Sequence, residues 1–278
     1  MTGSMKRSSF LKSVGVNVLA WLLSLLLLAP LLLILFNSFK TSTAASEMNL
    51  ALPASLEWSN YSVVIEKGKL GITFLNSLCY SVSSVLLCTL LSAMASYVLS
   101  RNRKKLHRFL YMFLVLGIAM PINFVTLMTV MQSVNLMNSR IGIILLYTAT
   151  QVPFNVFLVH SFISKIPEDI DEAAIIDGAS APGMFVKIIL PLLKPVLVTV
   201  MVLTFLNTWN EFVMPLYFLD SSDKWPMTLA VYNFFGMYFK DWNLVCADIV
   251  LTSAPVILVY LIGQKYIVSG MTAGAVKG

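Results

Sequence analysis

A polar stripe inside an apolar stretch carries the side chains best suited to contact a hydroxyl-rich ligand. Its members are spaced i, i+3, i+4 and i+7, which places them on one helix face: Thr204, Asn207, Thr208 and Glu211. Amide and carboxylate groups bond hydroxyls, Asn210 adds a second amide, and Trp209 offers a flat apolar face. Because a carboxylate is costly in lipid, Glu211 is expected to face the interior of the helix bundle or a wet cavity, and so to mark a substrate route.

The same stripe also suits contact with another helix, because polar side chains in lipid form interhelical hydrogen bonds. Both interpretations stay open at this level.

Two further polar residues lie in apolar stretches. Asp248 is expected near the outer interface and hydrated, and His160, a lone histidine near a span end, is expected to be structural.

A second polar group has fixed spacing and lies in a segment too charged to cross a bilayer. It reads Glu-Ala-Ala, three residues, Gly, nine residues, then Ile-x-Leu-Pro, and its fixed positions are Glu172, Ala173, Ala174, Gly178, Ile188, Leu190 and Pro191. The two alanines present almost no side chain, and Glu172 offers a carboxylate for a charge-assisted hydrogen bond. These residue types predict a docking surface for a second protein.

Local signals in this segment predict two short helices joined by a bend. Pro167 and the acidic residues after it suit a first helical turn, and Gly178 suits the stop. Ser180 is expected to cap a second helix that Pro191 ends. The alternative is an ordinary amphipathic connector lying on the lipid surface.

Composition places the chain in the membrane class. Hydrophobic residues make up 58% of the 278 residues, charged residues 12%, and mean hydropathy is +0.83. The formal charge of +6 is spread among short loops, so nucleic-acid binding is not predicted. We predict an all-α, polytopic protein with a single transmembrane domain over residues 1–278.

Six stretches are long and apolar enough to span a bilayer. They run from Val14 to Phe36, Gly71 to Leu99, Phe109 to Val130, Ile141 to Phe162, Val196 to Phe218 and Leu244 to Tyr266, with a loop at 163–195 between the fourth and fifth. Thirteen of the 19 Lys and Arg residues fall on the side of this loop and of both termini, which the positive-inside rule makes cytoplasmic.

The first stretch follows basic residues, so a cleaved signal peptide is the alternative. The apolar run is longer than a signal-peptide core, which favours a spanning helix that Pro30 kinks without ending. On the second stretch, small residues at helical spacing predict a packing seam with a neighbouring helix. They are Ser77, Ser81, Ser84, Cys88, Ser92 and Ala95.

The complete spacing of the loop resembles the EAA signature of permease subunits of bacterial ATP-binding-cassette importers. The chain is also similar to the six-span permeases of carbohydrate importers, such as the maltose, glycerol-phosphate and multiple-sugar systems. That similarity rests on Asn60-Tyr61, Phe74-x-Asn76-Ser77, Trp209-Asn210-Glu211, Pro255, Gln264 and the tail from Gly270 to Gly278. It implies a type I ABC importer permease fold and a bacterial inner-membrane location.

The resemblance also implies partners. They are a homologous permease, two ATPase subunits, an extracytoplasmic sugar-binding protein and a carbohydrate cargo. In that family the loop is a coupling helix that inserts into a groove of the ATPase, and the tail, with Gly274 and Lys277, reaches the ATPase pair. The chain has no G-x-x-x-x-G-K-[ST] loop, so ATP and magnesium are expected in the partner ATPases, with no cofactor on this chain.

Two other function classes fit the residues poorly. An ion-coupled secondary transporter predicts intramembrane ionisable residues and repeated broken helices, whereas Glu211 is the one acid expected deep in a span. A membrane-embedded enzyme needs a nucleophile with its base or a metal site, and no cluster of suitable residues lies in the predicted spans. The sequence therefore predicts a transporter subunit that is not itself an enzyme.

Overall fold

The computed structural model describes residues 2–234 and 241–275, with side chains for 14–234 and 241–266, and those ranges are all-α without a strand. The α-helices in chain order are α1 (Thr2–Ser38), α2 (Ser42–Ala45), α3 (Ser59–Lys67), α4 (Leu70–Arg101), α5 (Lys105–Ala119), α6 (Phe124–Ser133), α7 (Arg140–Ile163), α8 (Asp169–Ile176), α9 (Ala181–Met184), α10 (Leu190–Leu192), α11 (Lys194–Trp209), α12 (Val213–Phe218), α13 (Met227–Ala230) and α14 (Trp242–Ala275). A π-helix covers Phe185–Ile189, and 3-10 turns cover Ser222–Lys224 and Val231–Phe234.

Four of these helices are long and apolar enough, as single helices, to cross a membrane within the described residues. They contribute Val14–Ser38, Leu70–Arg101, Arg140–Ile163 and Trp242–Tyr266. Two bent pairs raise the count to six: α5 with α6, bent by 120°, and Ala181–Leu192 with α11, bent by 77°. Four of the six predicted apolar stretches are continuous helices, and the stretches at 109–130 and 196–218 are each broken into two helices.

The predicted third span, 109–130, is wrong as a continuous helix. α5 ends at Ala119 and α6 begins at Phe124. Pro121 lies in the break, where a residue without an N–H cannot continue the helical ladder, and the Asn123 side chain accepts a hydrogen bond from the Thr126 N–H at 3.0 Å. The break is therefore a capped turn.

The described residues fall into two compact units, one within 1–70 and 230–253, the other within 71–229 and 254–278. The prediction of a single domain stays a prediction. In the first unit, Pro30 lies inside α1 without ending it, as expected. Lys40 is buried and donates to the side-chain oxygens of Asn37 and Asn49 at 3.1 and 2.7 Å.

The core of the first unit also corrects one expectation. Asp248 is only 1% exposed, so the prediction of a hydrated residue is wrong. The first turns of α14 are buried because Val245 and Ala247 pack with Val64 of α3 and Phe234. Near this core, burial raises the pKa of Tyr61, whose hydroxyl lies 2.7 Å from Ser38 Oγ.

In the second unit, α4 packs along α7 through small residues, of which Ser84 and Cys88 belong to the predicted seam and Ser96 does not. Ser84 Oγ donates to the Ile144 carbonyl at 3.3 Å, and Ser96 Oγ donates to the Val156 carbonyl at 3.1 Å. Cys88 Sγ contacts the Thr148 carbonyl. In all three pairs the α7 residue lies 60 positions after the α4 residue. Because all three pairs join residues 60 positions apart, α4 and α7 run in the same direction. The chain between them therefore crosses back to the side on which α4 begins.

The remaining long helices alternate in direction. Asn155 of α7 bonds Thr204 of α11, and Gln151 of α7 bonds Asn207 of α11. The earlier α7 residue pairs with the later α11 residue, so the two helices are antiparallel. Thr199 Oγ1 donates to the Tyr266 carbonyl of α14 at 2.8 Å. A Cβ added at Gly263 would lie 2.6 Å from Val202 Cγ1, so α14 crosses α11 closely and antiparallel. The C-terminal ends of α4, α7 and α14 thus share one side with the loop before α11.

The opposite end of the second unit is fastened by hydrogen bonds to the segment after α12. Asn76 Nδ2 donates to the carbonyls of Asp223 and Trp225 at 2.9 and 3.1 Å. Ser77 Oγ accepts from the Met227 N–H at 2.8 Å, and Arg140 donates to the Asp223 carbonyl at 3.1 Å. The Arg140 charge at this end thus holds the segment after α12 against the start of α7.

Candidate functional site

The predicted fifth span, 196–218, is interrupted where its polar residues cluster. α11 ends at Trp209, and α12 begins at Val213. The Asn210 amide donates to the Leu206 carbonyl at 2.8 Å, and Glu211 Oε1 accepts from the N–H groups of Val213 and Met214 at 2.8 and 3.0 Å. Both side chains bond backbone groups that helix ends leave free, so they stabilise the break that corrects the straight-helix prediction.

The polar stripe consequently divides into two sets. Thr204 is fully buried and accepts a hydrogen bond from Asn155 Nδ2 at 2.9 Å, while Thr208 bonds back to the Thr204 carbonyl at 2.8 Å. Trp209 is 1% exposed and packs edge-on against Phe74, so its ring face is not open to a ligand. In this half of the stripe the side chains are used in contacts within the protein.

Asn207 and Glu211 instead line a cavity of about 790 Å³ between α7, the break of α5 and α6, and the end of α11. Its polar lining residues are Asn123, Thr126, Thr150, Gln151, Asn207 and Glu211. Asn207 Nδ2 donates to Gln151 Oε1 at 3.0 Å at the cavity wall. The remaining lining is mostly apolar, which is the usual construction of a small-molecule site.

Sequence reasoning missed four of the six polar lining residues, namely Asn123, Thr126, Thr150 and Gln151. Asn123, Thr150 and Gln151 were available as signals, because each is polar within a stretch long enough to span a bilayer. Asn123 also follows Pro121, which is a common pattern at a helix start. What the sequence does not specify is that a 120° bend brings Asn123 beside Gln151 and Asn207.

The loop between α7 and α11 forms the predicted pair of helices around a glycine bend, here named the elbow (residues 164–193). α8 ends with Asp177 as its C-cap, and Gly178 adopts φ +79°, a conformation that favours glycine. Glu172, Ala173 and Gly178 are exposed. Ala174 is 4% exposed and packs inward, so it does not contribute to the exposed surface with Ala173.

The exposed surface of α8 includes large apolar side chains. Ile175 is 62% exposed and Ile176 is 85% exposed, beside the Glu172 carboxylate and the Ala173 methyl group. Exposed isoleucines flanked by charge are typical of protein interaction surfaces. The elbow therefore presents a mixed apolar and acidic surface on the side that the ends of α4, α7 and α14 share.

The second helix of the elbow begins as predicted but ends differently. Ser180 Oγ accepts from the Gly183 N–H at 3.3 Å and caps α9. Pro191 lies in the first turn of α10, after the π-helix, and the helical path ends one residue later at Leu192, where a 77° bend precedes α11. A proline at a first turn loses no hydrogen bond, which explains the tolerance. Ile188 and Leu190 are half-buried, and Pro191 is exposed.

Two further sequence expectations concern single residues. His160 stacks on Tyr111, with ring centroids 3.9 Å apart, in agreement with the structural role expected for it. In the tail, Gly274 lies within α14, whereas Lys277 lies outside the described residues.

Comparisons with known proteins agree with this architecture. The family described as "Binding-protein-dependent transport system inner membrane component" matches residues 86–273. The diacetylchitobiose uptake system permease protein of Streptomyces coelicolor is 34% identical over 265 residues, covering 94% of this chain and 88% of that protein. The chain belongs to this family.

Other relatives of this permease cover it nearly end to end. The multiple sugar-binding transport system permease protein of Streptococcus mutans is 36% identical, covering 91% of this chain and 93% of that protein. The crystal structure of a bacterial ABC transporter involved in the import of the acidic polysaccharide alginate matches with a TM-score of 0.83 and 23% identity, covering 94% and 98% of the two chains. The predicted ABC importer permease fold is confirmed.

Membership decides between the function classes. The permease is an inner membrane component of a binding-protein-dependent transport system, so it is a transporter subunit and not an enzyme. The family works with a binding protein and with ATPase subunits, which excludes the ion-coupled secondary transporter as the function of this chain.

Proposed function

We propose that this permease forms half of the translocation pathway of an ATP-driven sugar importer, together with a homologous permease, two ATPase subunits and an extracytoplasmic sugar-binding protein. One observation carries the proposal. The elbow directly joins α7 and α11, the two helices whose Gln151 and Asn207 meet at the cavity wall. A partner that moves the elbow therefore acts on both walls of the cavity.

The ATPase docks on the exposed face of the elbow. Ile175 and Ile176 supply apolar area, Glu172 supplies a carboxylate, and Ala173 and Gly178 leave room for a partner's backbone. ATP and magnesium are bound by the ATPases. ATP binding draws the two ATPases together and moves the elbow. α7 and α11 tilt with the elbow, so that the cavity opens outward to receive sugar.

The cargo is a carbohydrate. Several relatives carry diacetylchitobiose, multiple sugars or melibiose, raffinose and stachyose in their names. The cavity suits such a cargo because the amides of Asn207 and Gln151 meet at its wall and can exchange their mutual hydrogen bond for bonds to sugar hydroxyls. Thr126, Thr150 and Asn123 provide further hydroxyl and amide groups.

The cavity lining favours an uncharged sugar. Among the described residues that line it, no Lys, Arg or His is present, and Glu211 is the acid. One Glu211 oxygen accepts hydrogen bonds from two backbone N–H groups, so the start of α12 holds this side chain at the cavity wall. An anionic cargo would meet like charge without a cation to compensate it.

Orientation follows from charge and helix direction. The elbow side of the second unit carries Arg101, Arg103, Lys104, Lys105, Arg108, Lys165, Lys187, Lys194 and Lys265, whereas the other side carries Arg140 and Lys224. By the positive-inside rule, the elbow and both termini face the cytoplasm. In this orientation the elbow is within reach of cytoplasmic ATPases, and the tail, with Gly274 and Lys277, is proposed to contact the same subunits.

Transport in reconstituted vesicles tests this function. The permease is assembled with its partner permease, ATPases and binding protein, and uptake of a neutral disaccharide and of a uronate-containing disaccharide is measured with and without ATP. We expect ATP-dependent uptake of the neutral sugar. Equal uptake of both sugars would contradict the charge argument, and uptake of neither would contradict the carbohydrate cargo.

A further inference from the structure

The buried face of α8 is anchored to α4 by an ion pair. Asp171 precedes the exposed Glu172 and Ala173, but it points inward and is 8% exposed. Its carboxylate pairs with Arg101, the last residue of α4, and the side chains of both partners are nearly buried, at 12% and 13% exposure. Arg101 also donates from Nη1 to the Ile166 carbonyl of the elbow at 3.1 Å.

Tyr97, one turn earlier on α4, adds a second connection to the same carboxylate. Its hydroxyl donates to Asp171 Oδ1 at 3.3 Å, and its ring packs on Phe185 of the elbow with centroids 5.5 Å apart. Met184 contacts the same hydroxyl at 3.8 Å. Two positions on α4 therefore hold both helices of the elbow.

α4 is in turn fixed to the cavity wall. The hydrogen bonds from Ser84 and Ser96 to α7 carbonyls, and the close approach of small residues between them, leave α4 and α7 little freedom to slide. α4 itself contributes no residue to the cavity lining described above. A connection from α8 to α4 would thus act on α7 over most of its length.

We propose that Arg101, Asp171 and Tyr97 form a clamp that makes α4 move with the elbow, so that the force of the ATPase reaches the cavity through α4 as well as through the chain ends of α7 and α11. This inference rests on the proposed function. The three are positioning residues, because each acts through the helices and none lines the cavity.

A neighbouring ion pair provides a matched control. Arg103 Nη2 lies 2.9 Å from Glu168 Oε1 and also joins the end of α4 to the elbow, but the side chains are 84% and 48% exposed. An exposed pair of this kind contributes little, whereas removing one partner of a buried pair leaves an uncompensated charge. The two pairs therefore separate the clamp from a general effect of charge at this site.

The experiment measures sugar uptake per ATP hydrolysed in the reconstituted importer, with ATPase association measured on the same preparations. The variants are Asp171→Asn, Arg101→Gln, the exchanged pair Arg101→Asp with Asp171→Arg, Tyr97→Phe, and the control Arg103→Gln. We expect the two single clamp variants to retain the ATPase and to lower uptake per ATP about tenfold. Tyr97→Phe keeps the ring and should lower it about twofold, and Arg103→Gln should leave it unchanged.

The exchanged pair distinguishes coupling from folding. Recovery of at least part of the uptake per ATP would support a pairwise interaction, as a double-mutant cycle measures it. Normal uptake per ATP in both single variants would overturn the clamp. Loss of the assembled complex in the single variants without recovery in the exchanged pair would also overturn it, since the residues would then serve folding alone. Absence of uptake in the unaltered importer would instead contradict the proposed function.

Discussion

The elbow and the cavity use their polar residues in opposite ways. In the elbow, a charged side chain is buried against an opposite charge, and the exposed surface that remains is partly apolar, with Ile176 85% exposed. In the cavity, the exposed groups are mainly neutral amides and hydroxyls, and the charge of Glu211 is held by backbone N–H groups. In the proposed function, the elbow transmits force and the cavity exchanges hydrogen bonds with the cargo.

Gly178→Asp should have the largest effect and tests the elbow. Gly178 is exposed and a Cβ there would meet no atom within 4 Å, so space is available, while its φ of +79° strains any residue other than glycine. The added charge disturbs the surface on which the ATPase docks. We expect normal membrane insertion with loss of ATPase association, measured by co-purification, and uptake at background.

Gly178→Asn is the matched control for this change, because asparagine tolerates the same backbone conformation without adding charge. It should retain more of the ATPase than Gly178→Asp. Tight association and full uptake in Gly178→Asp would count against the elbow as the docking site.

Glu211→Ala should have the next largest effect and tests the cavity. The change removes both hydrogen bonds that start α12 and the charge at the wall, so we expect uptake of a neutral sugar to fall about tenfold with assembly intact. Glu211→Gln keeps an acceptor for the N–H groups and should transport the neutral sugar within about twofold of the unaltered permease. Unchanged uptake in Glu211→Ala would favour a purely structural break.

Gln151→Ala should lower the apparent affinity for sugar about threefold, because it removes one of the two amides that meet at the wall. Concentration-dependent uptake measures the effect, and the maximal rate should change little. Asn207→Ala should behave in the same way. A change in ATPase association by either variant would show that the two regions are not separable as described.

Thr208→Val should have the smallest effect. Thr208 is buried and bonds only its own helix among the contacts described, so an isosteric change leaves the cavity lining intact. We expect uptake within about twofold of the unaltered permease and a small change in thermal stability, since only a hydrogen bond within the same helix is lost. A loss of uptake comparable to that of Glu211→Ala would place Thr208 on the substrate route.

The sequence predicts the elements of this fold better than their breaks. The six apolar stretches, the serine seam on α4 and the glycine bend were predictable, because composition, helical spacing and positive φ are local properties. The 120° angle of the break at Pro121 and the end of α11 at Trp209 were not, since apolar residues continue beyond each break. Length and hydropathy cannot separate a straight span from a bent one.

The same distinction applies to the site. The spacing of the elbow motif and of the α11 stripe identified the correct segments, but it did not show which members face inward. Ala174 and Thr204 are buried by packing with residues distant in the sequence, and Gln151 joins Asn207 only through the pairing of α7 with α11. Contacts of that kind depend on the tertiary structure.

ATP-driven uptake by defined combinations of subunits tests the central claim most directly. Vesicles containing the permease pair, the ATPases and the binding protein should accumulate neutral sugar against its gradient only when ATP is present, and omission of the ATPases should abolish accumulation. Uphill uptake by this permease alone, driven by an ion gradient and insensitive to ATP, would contradict the account.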